Sequence, residues 1–489
     1  MHMKSLLFRT TKKIFKIFLC LTAGGLIALL AVYVFLLESR PDTNVWHNAR
    51  LEAEYTAQSP VADFTEYTKL EERLFRQLAE EVYDKIAPED QHFLNRFSRG
   101  SMSDPNTWPQ NWNRTFELSH DSPKAGILLL HGLSDSPYSL RNIGLHLHEA
   151  GATVLGLRLP GHGTAPSGLV EMRWQDMASA VKLAMQHLQA QLPGKPLYII
   201  GYSTGSALAV HYALSALDDK QLAQTDGLVL ISPAIGVTPL AAFAVWQARL
   251  GNLLRLDKLA WQTIALEYDP YKYNSFAVNA GDQIYRLTSE IQRLINKKKG
   301  AGSLEQLPPI LAFQSDVDAT VSTSAVITGL FEKLPRNGNE LVLFDINRIN
   351  EAEKFITDDP KPYLNNLLAK KDLSYTITLV TNENEGSRQV HIVRRAEGDS
   401  EIETLPLGLD WPRGIHSLSH VALPFPQTDP LYGENRSMEN PGVHLGNIAL
   451  LGESNVLKIP AAAMLRLRWN PFYPYIEQRI FDFIRLEKP

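Results

Sequence analysis

Between residues 126 and 231 the sequence alternates short apolar runs with amphipathic stretches, and few folds can accommodate that rhythm. The runs Gly126–His131, Thr153–Leu159, Leu197–Ile200 and Gly227–Ile231 show little polar alternation, so each must be buried on both faces if it is a strand. Between them lie three helical patterns: Tyr138–Glu149, the stripe Trp174, Met177, Val181, Met185, Leu188 and Leu192, and the Ala-rich Ser206–Leu217. Strands separated by helices predict an α/β fold, a mostly parallel sheet with helices on both faces. In such sheets functional sites form at the carboxyl ends of the strands. The rhythm resumes at Ile310–Gln314, with a helix near Ser324–Leu334 and a strand at Leu341–Phe344. Residues 236–305 interrupt it with helical, aromatic-rich sequence that includes Trp246, Trp261 and Tyr268–Phe276, expected to be a cap over the site. Tyr375–Val380 and Gln389–Arg394 alternate as two antiparallel strands joined by a polar turn, the centre of a β-hairpin insertion at about 347–405.

The N-terminal end obeys a different rule. Ile17–Leu37 is an uncharged run of 21 residues, which as a helix would span roughly 30 Å, the hydrocarbon thickness of a bilayer. Five basic residues and no acid precede it, predicting a cytoplasmic N-terminus. The run ends Val34-Phe-Leu-Leu-Glu38, without the small residues a signal peptidase needs. The expectation is a single-pass anchor in the cell (inner) membrane, with the remaining chain on the non-cytoplasmic side. Residues 1–40 form that cytoplasmic end and anchor, 41–116 a helical stalk or adapter, and 117–489 the main domain. Within the adapter, Tyr67, Leu70, Leu74, Leu78, Val82 and Ile86 follow helical spacing, and the repeat is short enough that the body is the expected partner. Overall the 489 residues carry a net charge of −5, the excess of acid lying beyond residue 40; that is a poor basis for nucleic-acid binding, which needs clustered Lys and Arg. Cys20 is the single thiol, so no intrachain disulfide can form.

The chemistry centres on Gly201-Tyr202-Ser203-Thr204-Gly205, placed between a strand run and a helix. There a tight turn would lift the serine oxygen clear of the sheet, with Gly201 and Gly205 removing side chains that would block it. A serine hydroxyl needs a base, and the base an orienting carboxylate. After the strand Ile310–Gln314 come two candidate acids, Asp316 and Asp318. Four histidines follow. His391 lies within an amphipathic strand and is expected to be structural; His416 and His420 share Gly414–Pro424, where the loop side favours His420; His444 lies further on. Backbone amides of Thr204 and of Leu133, in the loop after the first strand, are the expected oxyanion donors. His131 is expected to buttress that loop, and His162 to be structural. No zinc-type spacing occurs in the sequence, and no metal or other cofactor is expected.

Leu130-His-Gly-Leu133, Arg158-Leu-Pro-Gly-His-Gly163, Gly201-Tyr-Ser-Thr-Gly205 and Asp318-Ala-Thr-Val321 resemble, in this order, the α/β-hydrolase superfamily. The likeness is strongest to its capped monoacylglycerol lipase, lysophospholipase and serine aminopeptidase-like branch. The resemblance covers roughly 117–345 and implies Asp318 rather than Asp316 as the acid. It thus implies a Ser203–His420–Asp318 triad, an oxyanion hole at Leu133 and Thr204, and no cofactor. The chain departs from the family pattern in placing about a hundred residues between Asp318 and His420. The expected function is a membrane-anchored serine hydrolase of carboxylic esters, with a small-molecule or lipid-like acyl ester as substrate. Two alternatives are a serine aminopeptidase-like amidase, with Glu267 and Asp269 as candidate receptors for a substrate amine, and a non-catalytic membrane-tethered binding protein.

Overall fold

The computed structural model describes residues 16–25, 27, 28, 32, 35, 39–236, 257–349, 359–370, 372–436, 442–446 and 467–488. A ten-stranded sheet organises them, in the order β1-β3-β2-β4-β5-β8-β9-β10-β11-β12. Its strands are β1 (Phe116–Leu118), β2 (Ala125–Leu130), β3 (Ala152–Leu157), β4 (Leu197–Tyr202), β5 (Gly227–Ile231), β8 (Ile310–Ser315), β9 (Glu340–Phe344), β10 (Thr376–Asn382), β11 (Gln389–Arg395) and β12 (Glu403–Asp410). From β3 through β10 all neighbours are parallel, while β1, β11 and β12 pair antiparallel at the two edges. The central strands are buried along their whole length, which is why they lack polar alternation. Alternate residues feed two cores. Leu128, Leu130, Ile199 and Ala312 pack under helices α3 (Trp174–Gln191), α4 (Thr204–Ala216) and α5 (Val278–Gly300). Ile127, Leu129, Ile200 and Phe313 pack on the other face, under α2 (Arg141–Glu149) and α8 (Tyr473–Ile484).

The adapter lies along this body. Asp63 caps helix α1 (Phe64–Glu81) by accepting from the Glu66 amide, and Tyr67 and Leu74 are buried. Arg158, itself buried, is held by Glu71 at 2.9 Å and by both carboxylate oxygens of Glu54. Tyr67 donates to the Arg158 carbonyl at 2.6 Å. A buried guanidinium needs such partners, and removing one typically costs 3–5 kcal/mol.

The expected hairpin excursion takes another form. β10 and β11 pair as read, but β10 lies parallel on β9, and β12 adds a strand that the sequence did not announce. The insertion therefore widens the sheet. Pro406 and Gly408 lie within β12 and obscured it; an exposed edge strand tolerates both. Of the expected cap, residues 237–256 lie outside the described residues. The described part holds a small hairpin of β6 (Trp261–Thr263) and β7 (Phe276–Ala277), followed by α5.

The expected transmembrane helix is not supported by what is described: no helix among the described residues is long and apolar enough to cross a membrane. Residues 26, 29–31, 33, 34, 36 and 37 of the run lie outside them. The described part is helical, with Ile17, Phe18, Leu19, Leu21, Ile27, Val32 and Phe35 more than half exposed.

Candidate active site

Ser203 sits at the carboxyl end of β4 with φ 52° and ψ −112°, a backbone conformation that a non-glycine residue adopts only under constraint. The constraint is visible at its neighbours. A Cβ on Gly205 would lie 1.9 Å from the Leu130 carbonyl oxygen, and one on Gly201 would lie 2.5 Å from the Gly205 carbonyl carbon. Two glycines thus let β4, β2 and α4 approach closely enough to hold the turn. The Ser203 amide donates to Ile231 at 2.8 Å, and Ser206 Oγ donates to the Gly201 carbonyl at 2.7 Å.

The loop after β2 lies against this elbow. A Cβ on Gly132 would meet the Tyr202 ring at 3.0 Å and Ser203 Cβ at 3.3 Å, so the loop packs on the elbow at the residue before Leu133. His131 straps the loop in place. Its Nε2 accepts from the Leu159 amide at 3.0 Å, leaving Nδ1 to donate to the Gly132 carbonyl at 2.8 Å. Burial, then the neighbouring His162, hold its pKa well below the ordinary range, so it stays neutral. Thr204 opens α4, and its amide has no carbonyl one turn earlier to bond within the helix. His162 is buried, its Nδ1 on the Pro160 carbonyl, and burial lowers its pKa to about 4.

Beyond β8 the two acids separate. Asp318 Oδ2 contacts His420 Nδ1 at 2.7 Å and accepts from Gln314 at 3.1 Å, while Oδ1 accepts from the amides of Thr320 and Val321 at 2.7 and 2.9 Å. Burial alone would raise this carboxyl; the His420 bond and the two amides outweigh it and hold it below the usual carboxylate range. Asp316 is not bonded to His420. Burial, and then Asp345, push its carboxyl up to about 7.

His420 reaches Asp318 because the chain returns across the ends of β8 and β9. Asn347 donates to the carbonyls of Ile415 and His416, and Ser315 Oγ donates to Leu418 at 2.8 Å. Tyr202, the residue before the serine, donates to the His420 carbonyl at 3.3 Å and sets its ring 5.4 Å from the imidazole. The base–acid pair therefore sits beside the elbow. His416 is exposed, His391 lies within β11, and His444 contacts the Gly433 carbonyl at 3.0 Å.

The cap acids are committed elsewhere. Glu267 accepts from the amides of Asn274 and Ser275, and burial pushes its carboxyl up to about 7. Asp269 accepts from the amides of Tyr271 and Lys272 and from Tyr432 Oη at 2.7 Å, with Arg468 at 3.5 Å. Two residues near the elbow escaped the sequence reading: Lys272, whose ammonium lies 5.6 Å from the Tyr202 ring centroid, and the buried Asp135. A lone lysine among aromatics carries no motif; the concentration of Tyr in 268–273 was the available signal. No group of three or more His, Cys, Asp or Glu placed to hold a metal occurs among the described residues.

Residues 121–346 match the family model of serine aminopeptidase S33. A thermostable monoacylglycerol lipase of Bacillus sp. (strain H-257) is 28% identical over 117 residues, 24% of this chain and 44% of the lipase, so the chain spans less than half of that relative's length. Among solved structures, a metagenome-derived lipolytic enzyme shares 21% identity with a TM-score of 0.39, covering 49% of this chain and 89% of its own. The monoacylglycerol lipase of Paleococcus ferrophilus shares 17% with a TM-score of 0.36, covering 47% and 88%.

Proposed function

The chain is an α/β-hydrolase of the branch that holds the monoacylglycerol lipases and serine aminopeptidases, and from that premise we propose that it is a serine hydrolase of carboxylic esters. The favoured substrates are lipid-like acyl esters, monoacylglycerols or lysophospholipids. The observation that carries the proposal is the 2.7 Å bond between Asp318 and His420, delivered beside a serine held in a strained turn. Asp318 binds Nδ1 and so fixes the tautomer that leaves Nε2 as the proton acceptor. His420 then takes the Ser203 proton as Oγ attacks the ester carbonyl, whose oxygen takes up the displaced electron pair. Amides of Leu133 and Thr204 stabilise that oxyanion. Collapse breaks the ester C–O bond, and the departing alcohol takes the proton from His420. Water, deprotonated by the same imidazole, then attacks the acyl-serine, releasing the carboxylic acid and regenerating the hydroxyl.

An aminopeptidase-like amidase is the second reading, favoured by the description of the matching family. It requires an acid free to receive a substrate ammonium. Glu267 and Asp269 are both committed to backbone amides, and the charge beside the elbow is the Lys272 ammonium; these contacts favour the ester.

The proposal includes attachment to a membrane through 17–37, with the N-terminus cytoplasmic and the body on the other side. The exposed apolar side chains of the described helix support it, since water is a poor solvent for such a stripe. The chain just beyond is fastened to the cap: Arg40 donates to the Trp261 carbonyl at 2.9 Å, and Lys258 pairs with Asp42 at 2.7 Å. On this reading the cap faces the lipid.

The test is hydrolysis of p-nitrophenyl acyl esters by protein beginning at residue 39, which keeps those fastenings. Ser203→Ala should lose on the order of 10⁴-fold in kcat/KM with an unchanged melting temperature. Equal turnover by the mutant would refute the assignment.

A further inference from the structure

Lys272 is pinned by its backbone and free at its tip. Its amide donates to Asp269 at 3.1 Å, its carbonyl accepts from Arg96 at 3.3 Å, and the next amide, of Tyr273, donates to Ser134 in the oxyanion loop at 2.7 Å. The side chain then enters a box of three rings, with Nζ 5.0 Å from the centroid of Phe425, 5.5 Å from Tyr432 and 5.6 Å from Tyr202. Among the described residues the ammonium makes no ion pair and donates no hydrogen bond. Aromatic faces stabilise a cation but accept no strong hydrogen bond, so its donors remain unused.

The acids nearby do not cancel this charge. Asp269 is occupied by amides, Tyr432 and Arg468. Asp135, two residues beyond Leu133, is 2% exposed and forms no direct pair with Lys272. Burial raises its carboxyl, with Lys272 opposing. A positive centre with unused donors thus stands against the ring of Tyr202, whose neighbour is Ser203. The same box excludes a substrate cation, because the protein's own ammonium fills it.

We propose that Lys272 is a specificity-determining residue whose ammonium receives an anionic group, phosphate or carboxylate, carried by the substrate near its scissile ester. The inference rests on the ester-hydrolase reading and narrows it, favouring acyl esters with a negatively charged head over neutral monoacylglycerols. A charge-assisted hydrogen bond of this kind is worth about tenfold or more in affinity.

Full-length protein in neutral detergent micelles provides the test, with three substrates that share one acyl chain: 1-oleoylglycerol, its 3-phosphate and its 3-hemisuccinate. Oleate release is measured for each. The expected result is a kcat/KM at least about tenfold higher for an anionic ester than for the neutral one, expressed in KM and diminished by added salt. Lys272→Met should bring that ratio close to one, Lys272→Glu should invert it, and Lys272→Arg should preserve it. A purely structural role would lower all three substrates together and leave the ratio alone, which would overturn the inference. So would a wild-type enzyme with no anionic preference. A preference confined to the phosphate identifies phosphate as the group read; one shared by the hemisuccinate identifies negative charge itself. Should Lys272→Met fail to fold, Lys272→Arg and the salt dependence still decide. Absence of Ser203-dependent release from all three, and from p-nitrophenyl esters, would instead refute the ester reading beneath it.

Discussion

The two halves of the candidate site are built in opposite ways. The nucleophile and oxyanion half comes from residues 126–205, three neighbouring strands whose turns are fixed by glycines that admit no side chain. The acid–base half joins residues 102 positions apart in sequence, separated by helices α6 (Thr323–Gly329) and α7 (Lys361–Ala369), by β9 and by three additional strands, β10 to β12. It is held by ordinary side-chain hydrogen bonds: Asn347 to the chain around His416, Ser315 to Leu418, Asp318 to His420. The extra strands attach outside β9, so they lengthen the chain without moving the end of β8. Distance along the sequence therefore measures little; what matters is which strand end the chain returns to. The first half should be intolerant of any added atom, and the second should fail through specific groups.

The strongest challenge to that contrast is a histidine exchange. His420→Ala should lower kcat/KM by about 10⁴-fold with little change in melting temperature, whereas His416→Ala should remain within about twofold. Comparable losses in the two would mean that the return loop, rather than one imidazole, carries the effect. Asp318→Asn should cost about 10³-fold or more, because an amide no longer fixes the tautomer or stabilises the imidazolium; Asp316→Asn should leave turnover near the wild-type rate. On the other half, Gly205→Ala should act through folding. With a Cβ directed at the Leu130 carbonyl, it should destabilise by about 3 kcal/mol or more, read as loss of soluble protein or a large fall in melting temperature.

The smallest effect sharpens the difference between the two aspartates. The Asp316 carboxyl is raised from 3.8 to about 7, so the folded state holds its proton more tightly than the unfolded chain. Its stabilising contribution is complete below about pH 4 and is lost as pH rises through about 7. Asp316→Asn should therefore raise the melting temperature at pH 8 by about 2–4 °C, roughly 1 kcal/mol after allowance for its partial exposure, and change it little at pH 4. Asp318 has the opposite sign. Held low by His420 and two amides, it favours the folded state above its ordinary pKa and loses that contribution under acid.

Much of the fold was legible because buried parallel strands leave no polar alternation, and β2, β4, β5 and β8 all stand where apolar runs begin. The β10–β11 hairpin was legible from alternation, but its attachment to β9 was not, since pairing between distant strands leaves no local trace. β12 was hidden by Pro406 and Gly408. In the site, the spacing of Gly201, Ser203 and Gly205 was readable because close packing demands glycine. The residues alone left Asp316 and Asp318 undecided, because the deciding feature is a turn that aims the amides of Thr320 and Val321 at one carboxylate. Lys272 was illegible for a similar reason: its box is assembled from Tyr202, Phe425 and Tyr432, three separate parts of the chain.

The central claim is that Ser203 is a nucleophile activated by the His420–Asp318 pair. A fluorophosphonate probe tests it most directly, because an activated serine attacks its phosphorus and displaces fluoride, and digestion followed by mass spectrometry identifies the residue phosphonylated. One adduct per chain on Ser203, with labelling strongly slowed in His420→Ala, is the result this account predicts. A folded protein that takes up no probe, or that is labelled at another serine regardless of His420, would contradict it.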